Sequence, residues 1–175
     1  MRYNGNMVNN ISKDIGREIF AVLGADFFKG RTVQFDFKKK LIRFLSNWKV
    51  PKEGSESVAI LPMLVDSMQP IRRPIVERVS FNGKPIKTLL DTGSVTVISF
   101  TGTGAKELGL SVPAPKSNPQ PTKVSMALEK ISFPEVPGVV YPKDSSFDKD
   151  SLGYCAMLAI AVLQNFLITF DFEHA

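Results

Sequence analysis

Cysteine, histidine and tryptophan occur once each in this 175-residue chain, as Cys155, His174 and Trp48. A lone cysteine rules out an intrachain disulfide and any zinc site built on several thiolates. The only histidine lies one residue from the C-terminus, which leaves no base for a Ser-His-Asp or Cys-His centre within the body of the chain and makes a histidine-rich metal site untenable. No apolar run is long enough to span a bilayer, and the first residues lack the basic-then-apolar layout of a signal peptide. Strong charge is also missing. The net charge is +5, and Lys38-Lys39-Lys40 form the only basic run, which reads as a solvated turn and not as a nucleic-acid surface. With these chemistries removed, carboxylates are the main catalytic candidates.

The remaining composition is that of a folded domain: 43% hydrophobic and 22% charged residues, with thirteen phenylalanines. A Phe-rich β or α+β core is expected. The stretch Leu89-Leu90-Asp91-Thr92-Gly93-Ser94-Val95-Thr96-Val97-Ile98-Ser99 reads as strand, tight turn, strand, with a carboxylate entering the turn. An acid leaving a buried strand is expensive unless it is paired or shares a proton. Gly93 gives the turn its backbone freedom, and Thr92 and Ser94 bring hydroxyls that can bond to the acid or to its partner. The segment before it, from Val79 to Thr88 with Asn82-Gly83 at its centre, reads as a hairpin.

Taken in order, Met1 to Lys13 reads as a polar loop, and Ile19 to Gly30 as a short apolar helix closed by glycine. Thr32 to Phe37 and Leu41 to Leu45 alternate like strands about the lysine turn. Ser46 to Ser57 reads as a linker, and Val58 to Val65 opens a fresh β region. Strands are expected over 75–81, 86–90, 124–128, 136–141 and 167–172, with a helical turn over 105–110. Irregular chain is expected through the prolines of 113–121 and a polar loop over 143–153. The apolar run Tyr154 to Leu163 reads as a helix. The two ends repeat: Ala21-Val22-Leu23 matches Ala156-Met157-Leu158, and Phe35-Asp36-Phe37 matches Phe170-Asp171-Phe172, at one constant spacing of 135 residues.

The Asp91-Thr92-Gly93-Ser94 turn after two apolar residues, with its Asn-Gly hairpin, resembles the active-site strand of retropepsin-like aspartic peptidases, and the tandem spacing resembles their bacterial tandem type. The resemblance implies a mainly β, retropepsin-like acid-protease barrel with short helices, preceded by the C-terminal piece of a second similar unit. The corresponding division is 1–45 for that fragment, 46–57 for a linker and 58–175 for the peptidase domain. It implies an aspartic endopeptidase that needs no metal or organic cofactor and acts on an extended peptide. Asp91 would be catalytic, with Thr92, Gly93 and Ser94 supporting the loop. The second carboxylate would come from Asp91 of a homodimer partner or from pairing with a second retropepsin-like unit. The alternative is a catalytically inactive module of the same fold that binds peptides or serves assembly. The compartment is left open.

Three departures from the family pattern favour that alternative. Val97-Ile98 arrive one position early after the turn, which would reverse the following side chains unless a bulge absorbs the change. Ala156 and Ala159 stand where the family carries glycine. The segment Leu110 to Val124, where a mobile hairpin over the substrate is expected, is short and proline-rich and has no glycine.

Overall fold

The computed structural model describes residues 5–51, 59–65, 74–147 and 153–174. The expected 46–57 linker therefore lies outside the described residues from Lys52 onward, as does Val58, and the polar loop over 143–153 is described only to Phe147 and at Gly153.

The chain is mainly β with short helices, as anticipated. Strands β4 (Pro74–Phe81), β5 (Lys84–Asp91), β6 (Ile98–Phe100), β7 (Gln120–Leu128), β8 (Ile131–Val140) and β9 (Ala156–Ala159) close into a barrel in the order β4-β5-β9-β6-β8-β7, with β7 returning to β4. Closure removes the open edges that an isolated sheet would expose. The short strand β3 (Met63–Val65) adds to β4. Asn82 and Gly83, both at positive φ (49° and 76°), turn β4 into β5, the backbone that an Asn-Gly hairpin requires.

The barrel interior is filled by Val76, Val79, Phe81, Ile98, Phe100, Met126, Val140 and Leu158, each at most 2% exposed. Phe81 and Phe100 meet edge to face with centroids 5.1 Å apart. The strand expected over 136–141 begins five residues earlier, and β8 runs through both Pro134 and Pro137. Two residues of β8, Pro134 and Glu135, oppose one of β7, Ser125, between the Val124–Val136 and Met126–Phe133 pairs, so Pro134 sits in a bulge where the ladder asks for no amide.

A second sheet of three strands, in the order β10-β1-β2, joins β1 (Thr32–Asp36), β2 (Leu41–Leu45) and β10 (Leu167–Asp171). Its small core, built on Val33, Phe170 and Phe172 with Phe28 and Phe35 against them, is rich in phenylalanine as expected.

Several expectations need correction. Residues Gly5–Ile15 form a helix, α1, where a loop was expected; Val8, Ile11 and Ile15 have helical spacing, and Gly16 at φ 64° ends it. The expected helix over 19–30 shrinks to a 3₁₀ turn, Ala25–Phe28, closed by Gly30 at φ 67°. Of the described residues 59–65, only Met63–Val65 is strand. Helix α2 (Gly102–Glu107) begins earlier than expected, because Thr101 caps it by accepting the Gly104 amide at 3.0 Å. The run Tyr154 to Leu163 is not one helix: it is β9 followed by a single helical turn, α3 (Ile160–Leu163).

The 135-residue spacing recurs in the backbone. Ala25–Phe28 and Ile160–Leu163 are helical turns at that spacing, and β1 and β10 begin and end at it. Asp36 Oδ1 accepts the Lys39 amide at 3.0 Å, and Asp171 Oδ1 accepts the His174 amide at 3.3 Å, the same turn in the two places. The antiparallel β1–β10 ladder is centred on Gln34 and Thr169, themselves 135 residues apart and joined side chain to side chain at 3.1 Å. The ladder thus places a local two-fold axis where the sequence repeat would put one.

Candidate functional site

Strand β5 lies at the middle of the barrel wall, between β4 and parallel β9. Thr88 inside it is fully buried and satisfies its hydroxyl on the Ile86 carbonyl at 2.8 Å. The strand's last residue is Asp91, half-buried where the chain leaves the sheet and paired in register with Ala159 of β9. Its Oδ1 accepts the Gly93 amide at 2.8 Å. Among the described residues, the other carboxylate oxygen has no hydrogen-bond partner. A Cβ at Gly93 would lie 3.3 Å from Oδ1, so glycine lets the turn fold closely over the acid.

The turn is anchored from beneath. The amides of Ala159 and Ile160, at the junction of β9 and α3, donate to the carbonyls of Val97 at 2.9 Å and Ser94 at 3.0 Å. This holds both sides of the Asp91 turn on one rigid support, an arrangement suited to fixing a reactive group. The bend at Thr96–Val97 precedes β6, and Ile98 and Phe100 both join the barrel core despite the early arrival of the apolar pair. A β9 of alanines rather than glycines fits beside the turn: Ala156 and Ala159 are fully buried.

The four residues singled out in the sequence occupy this one turn. Thr92 and Gly93 are exposed, and Thr92 makes no side-chain hydrogen bond among the described residues. Ser94 turns its hydroxyl to Thr96 at 2.9 Å, and Thr96 reaches the buried Ser99 at 3.3 Å. This hydroxyl chain braces the turn without touching the carboxylate. The spacing Ser94, Thr96, Ser99 was visible in the sequence, but only the bend at 96–97 brings the three together.

Between α2 and β7 no strand forms among the described residues. Residues 110–119 carry turns and extended chain, and of the segment expected to supply a mobile hairpin only 120–124 is strand, the start of β7 paired with β8. A cavity of about 680 Å³ opens between the two sheets, lined by Leu90, Leu158, Leu163, Ile168 and Phe170 among others, and does not include Asp91. It is a mostly apolar space, with Gln34, Thr169, Asp171 and His174 also in its wall, and no residue of the Asp91 turn lines it.

A second polar cluster had no sequence signal beyond the terminal histidine. His174 Nδ1 lies 2.8 Å from Asp171 Oδ2, and Thr32 donates its hydroxyl to Asp171 Oδ1 at 3.0 Å. Burial pushes the Asp171 carboxyl up, but hydrogen bonds from His174 and Thr32 and from the His174 and Glu173 amides outweigh it, and the net shift is below 3.8. The hydrogen bond and charge of Asp171 raise His174 above 6.5. Asp171, Glu173 and His174 group possible cation ligands within 4.8 Å. Both Asp171 oxygens are already engaged, and the cluster is an ion-paired strand end.

No family model matches the chain, and no curated protein does. Among solved structures, the crystal structure of a retropepsin-like aspartic protease from Rickettsia conorii is similar to it, with a TM-score of 0.42 and 18% identity, covering 62% of this chain and 83% of that one. A likeness so distant says nothing of chemistry, and the functional reading has to come from the chain's own residues.

Proposed function

We propose that the chain contributes Asp91 as one of the two carboxylates of an aspartic endopeptidase of the retropepsin-like type. The observation that carries this reading is the Asp91 turn itself. A half-exposed carboxylate with one free oxygen stands at the end of a central barrel strand, and the turn around it is fixed to the β9–α3 junction by two backbone hydrogen bonds. Two such acids facing one water cannot both ionise. The ionised one draws a proton from the water as it attacks the scissile carbonyl, and the protonated one gives its proton to the carbonyl oxygen. Thr92 and Gly93, exposed at the tip, would meet the opposing turn. An extended peptide would lie across the pair and bond through its backbone. The second carboxylate comes from Asp91 of a homodimer partner or from a second retropepsin-like unit, of which residues 1–45 would be the C-terminal piece and 58–175 the nearly whole counterpart.

One observation favours a second reading, a catalytically inactive peptide-binding or assembly module of the same fold: residues 110–119 form no hairpin able to close over a substrate. The test is cleavage of an unfolded protein from acid to neutral pH, with and without a statine-type transition-state inhibitor. It uses the chain and, beside it, an extended protein in which a duplicate of residues 59–154 is joined ahead of Met1 to supply a second Asp turn. Cleavage by either protein, lost on Asp91→Asn and on inhibitor, supports the endopeptidase. Two folded, inert proteins, or cleavage indifferent to Asp91→Asn, leave the binding module.

A further inference from the structure

The repeat allows the same segment to be compared with and without its surroundings. Ala156–Ala159 is strand β9, held between β5 and β6, with no residue more than 8% exposed. Its counterpart at the 135-residue spacing, Ala21–Gly24, is exposed throughout: Val22 is 37% and Leu23 58% exposed, and Phe20 just before them is 85% exposed. The difference continues into the helical turn, where Phe27 is 46% exposed against 6% for Val162. Backbone groups differ in the same way. The Ala159 and Ile160 amides are taken up by the Val97 and Ser94 carbonyls. At the equivalent positions, the Gly24 and Ala25 amides donate to nothing among the described residues. Gly24 nonetheless keeps the backbone of Ala159, with φ −83° and ψ 174° against −98° and 177°. An exposed apolar segment whose last residue keeps the backbone of its strand counterpart, with unspent amides, is suited to docking as a strand.

We infer that Phe20–Ala25 is the docking strand for a partner polypeptide that carries an apolar strand ending in an acid, a tight turn and a returning strand, the counterpart of β5 and β6. The partner's two strands would flank Phe20–Gly24, one parallel and one antiparallel, as β5 and β6 flank β9. Its turn carbonyls would accept the Gly24 and Ala25 amides. The two-fold axis through Gln34 and Thr169 then carries Asp91 onto the partner's acid, so the docked strand pair supplies the second carboxylate. A second copy of this chain in its native fold does not fit, because its own β9 fills the slot between its β5 and β6. The inference rests on the endopeptidase reading for the partner's acid, and on the repeat alone for its strands.

Hydrogen exchange on the intact chain and on the extended protein tests it. In the chain alone, the Val22, Leu23 and Gly24 amides should exchange at unprotected rates, at least 10³-fold faster than those of Met157, Leu158 and Ala159. In the extended protein, the same three amides should slow at least 10²-fold, and Leu23→Asp should abolish that gain. If these amides are already protected in the chain alone, the segment is covered by the chain itself or, where protection rises with concentration, by a second copy. Either result overturns the inference, as does an extended protein that leaves their exchange unchanged. Asp91→Asn separates the two proposals. Protection retained with cleavage lost upholds both, and protection gained without any cleavage upholds the docking strand while the endopeptidase reading fails.

Discussion

Leu158 and Leu23 occupy matched positions in the repeat, and the structure gives them opposite weights. Leu158 is 1% exposed, paired with Leu90 on one side and Ile98 on the other, and packed among the barrel core. Truncation to alanine removes buried methyl groups and leaves a cavity that the closed barrel cannot collapse to fill. The expected loss is about 3–4 kcal/mol. For a chain of this length that lowers the melting temperature by roughly 6–16 °C. Leu23 is 58% exposed, so Leu23→Ala removes groups already largely in water, and its cost should stay within about 0.5 kcal/mol. Urea and thermal unfolding of wild type and the two single variants measure both numbers, with unchanged m-values as the check that one transition is being compared. If Leu23→Ala costs within about 1 kcal/mol of Leu158→Ala, the two segments are equally buried and the contrast behind the docking strand is refuted.

Gly104 is boxed in by the backbone of Cys155: an added Cβ would meet the Cys155 carbonyl oxygen and lie 3.0 Å from the Cys155 Cβ. Gly104→Ala should therefore cost about 1–3 kcal/mol in urea unfolding, against the small gain alanine brings to an open helical site. Asn82 stands at φ 49° and its Oδ1 accepts the Ser125 amide at 3.0 Å, so Asn82→Ala should lower stability by about 1–2 kcal/mol, whereas Asn82→Gly should recover the backbone share of that loss. The His174–Asp171 pair makes stability depend on pH in a defined direction. His174 is raised, so its contribution is full below 6.5 and fades as pH climbs through its higher folded value. Asp171 is lowered, so its contribution holds above 3.8 and fades as pH falls through its lower folded value. The stability difference between wild type and His174→Ala should thus be largest between about pH 4 and 6.5. In an NMR titration, Asp171→Asn should bring the His174 midpoint back toward 6.5; a midpoint that stays put would show that Asp171 is not its cause.

The elements legible in the sequence were those with local punctuation. Asn82-Gly83 fixed a hairpin, the Asp91 turn announced itself through Thr-Gly-Ser, and the alternation of 32–36 and 41–45 about three lysines gave β1 and β2. What the sequence hid was set by context. Ala156 to Leu163 is apolar at every position, and periodicity cannot tell a strand buried on both faces from a buried helix; only β5 and β6 on either side decide it. The asparagines of 5–15 suggested a loop and masked a helical spacing of valine and isoleucine. The first half of β8, around Pro134, was not read as strand, because a bulge is a property of two strands together. Of the candidate site, the position of the acid in its turn was readable. Its anchoring on Ala159 and Ile160, and the Ser94–Thr96–Ser99 hydroxyl chain, depend on contacts across the barrel that no local pattern records.

The pairing of Asp91 with a second carboxylate is tested most directly by the pH dependence of peptide cleavage in the extended protein. One ionised and one protonated acid predict a bell-shaped profile, with cleavage falling on both the acid and the neutral side and lost throughout on Asp91→Asn. Cleavage that rises to a plateau with a single limb, or that survives Asp91→Asn in a folded protein, would contradict a paired-carboxylate site.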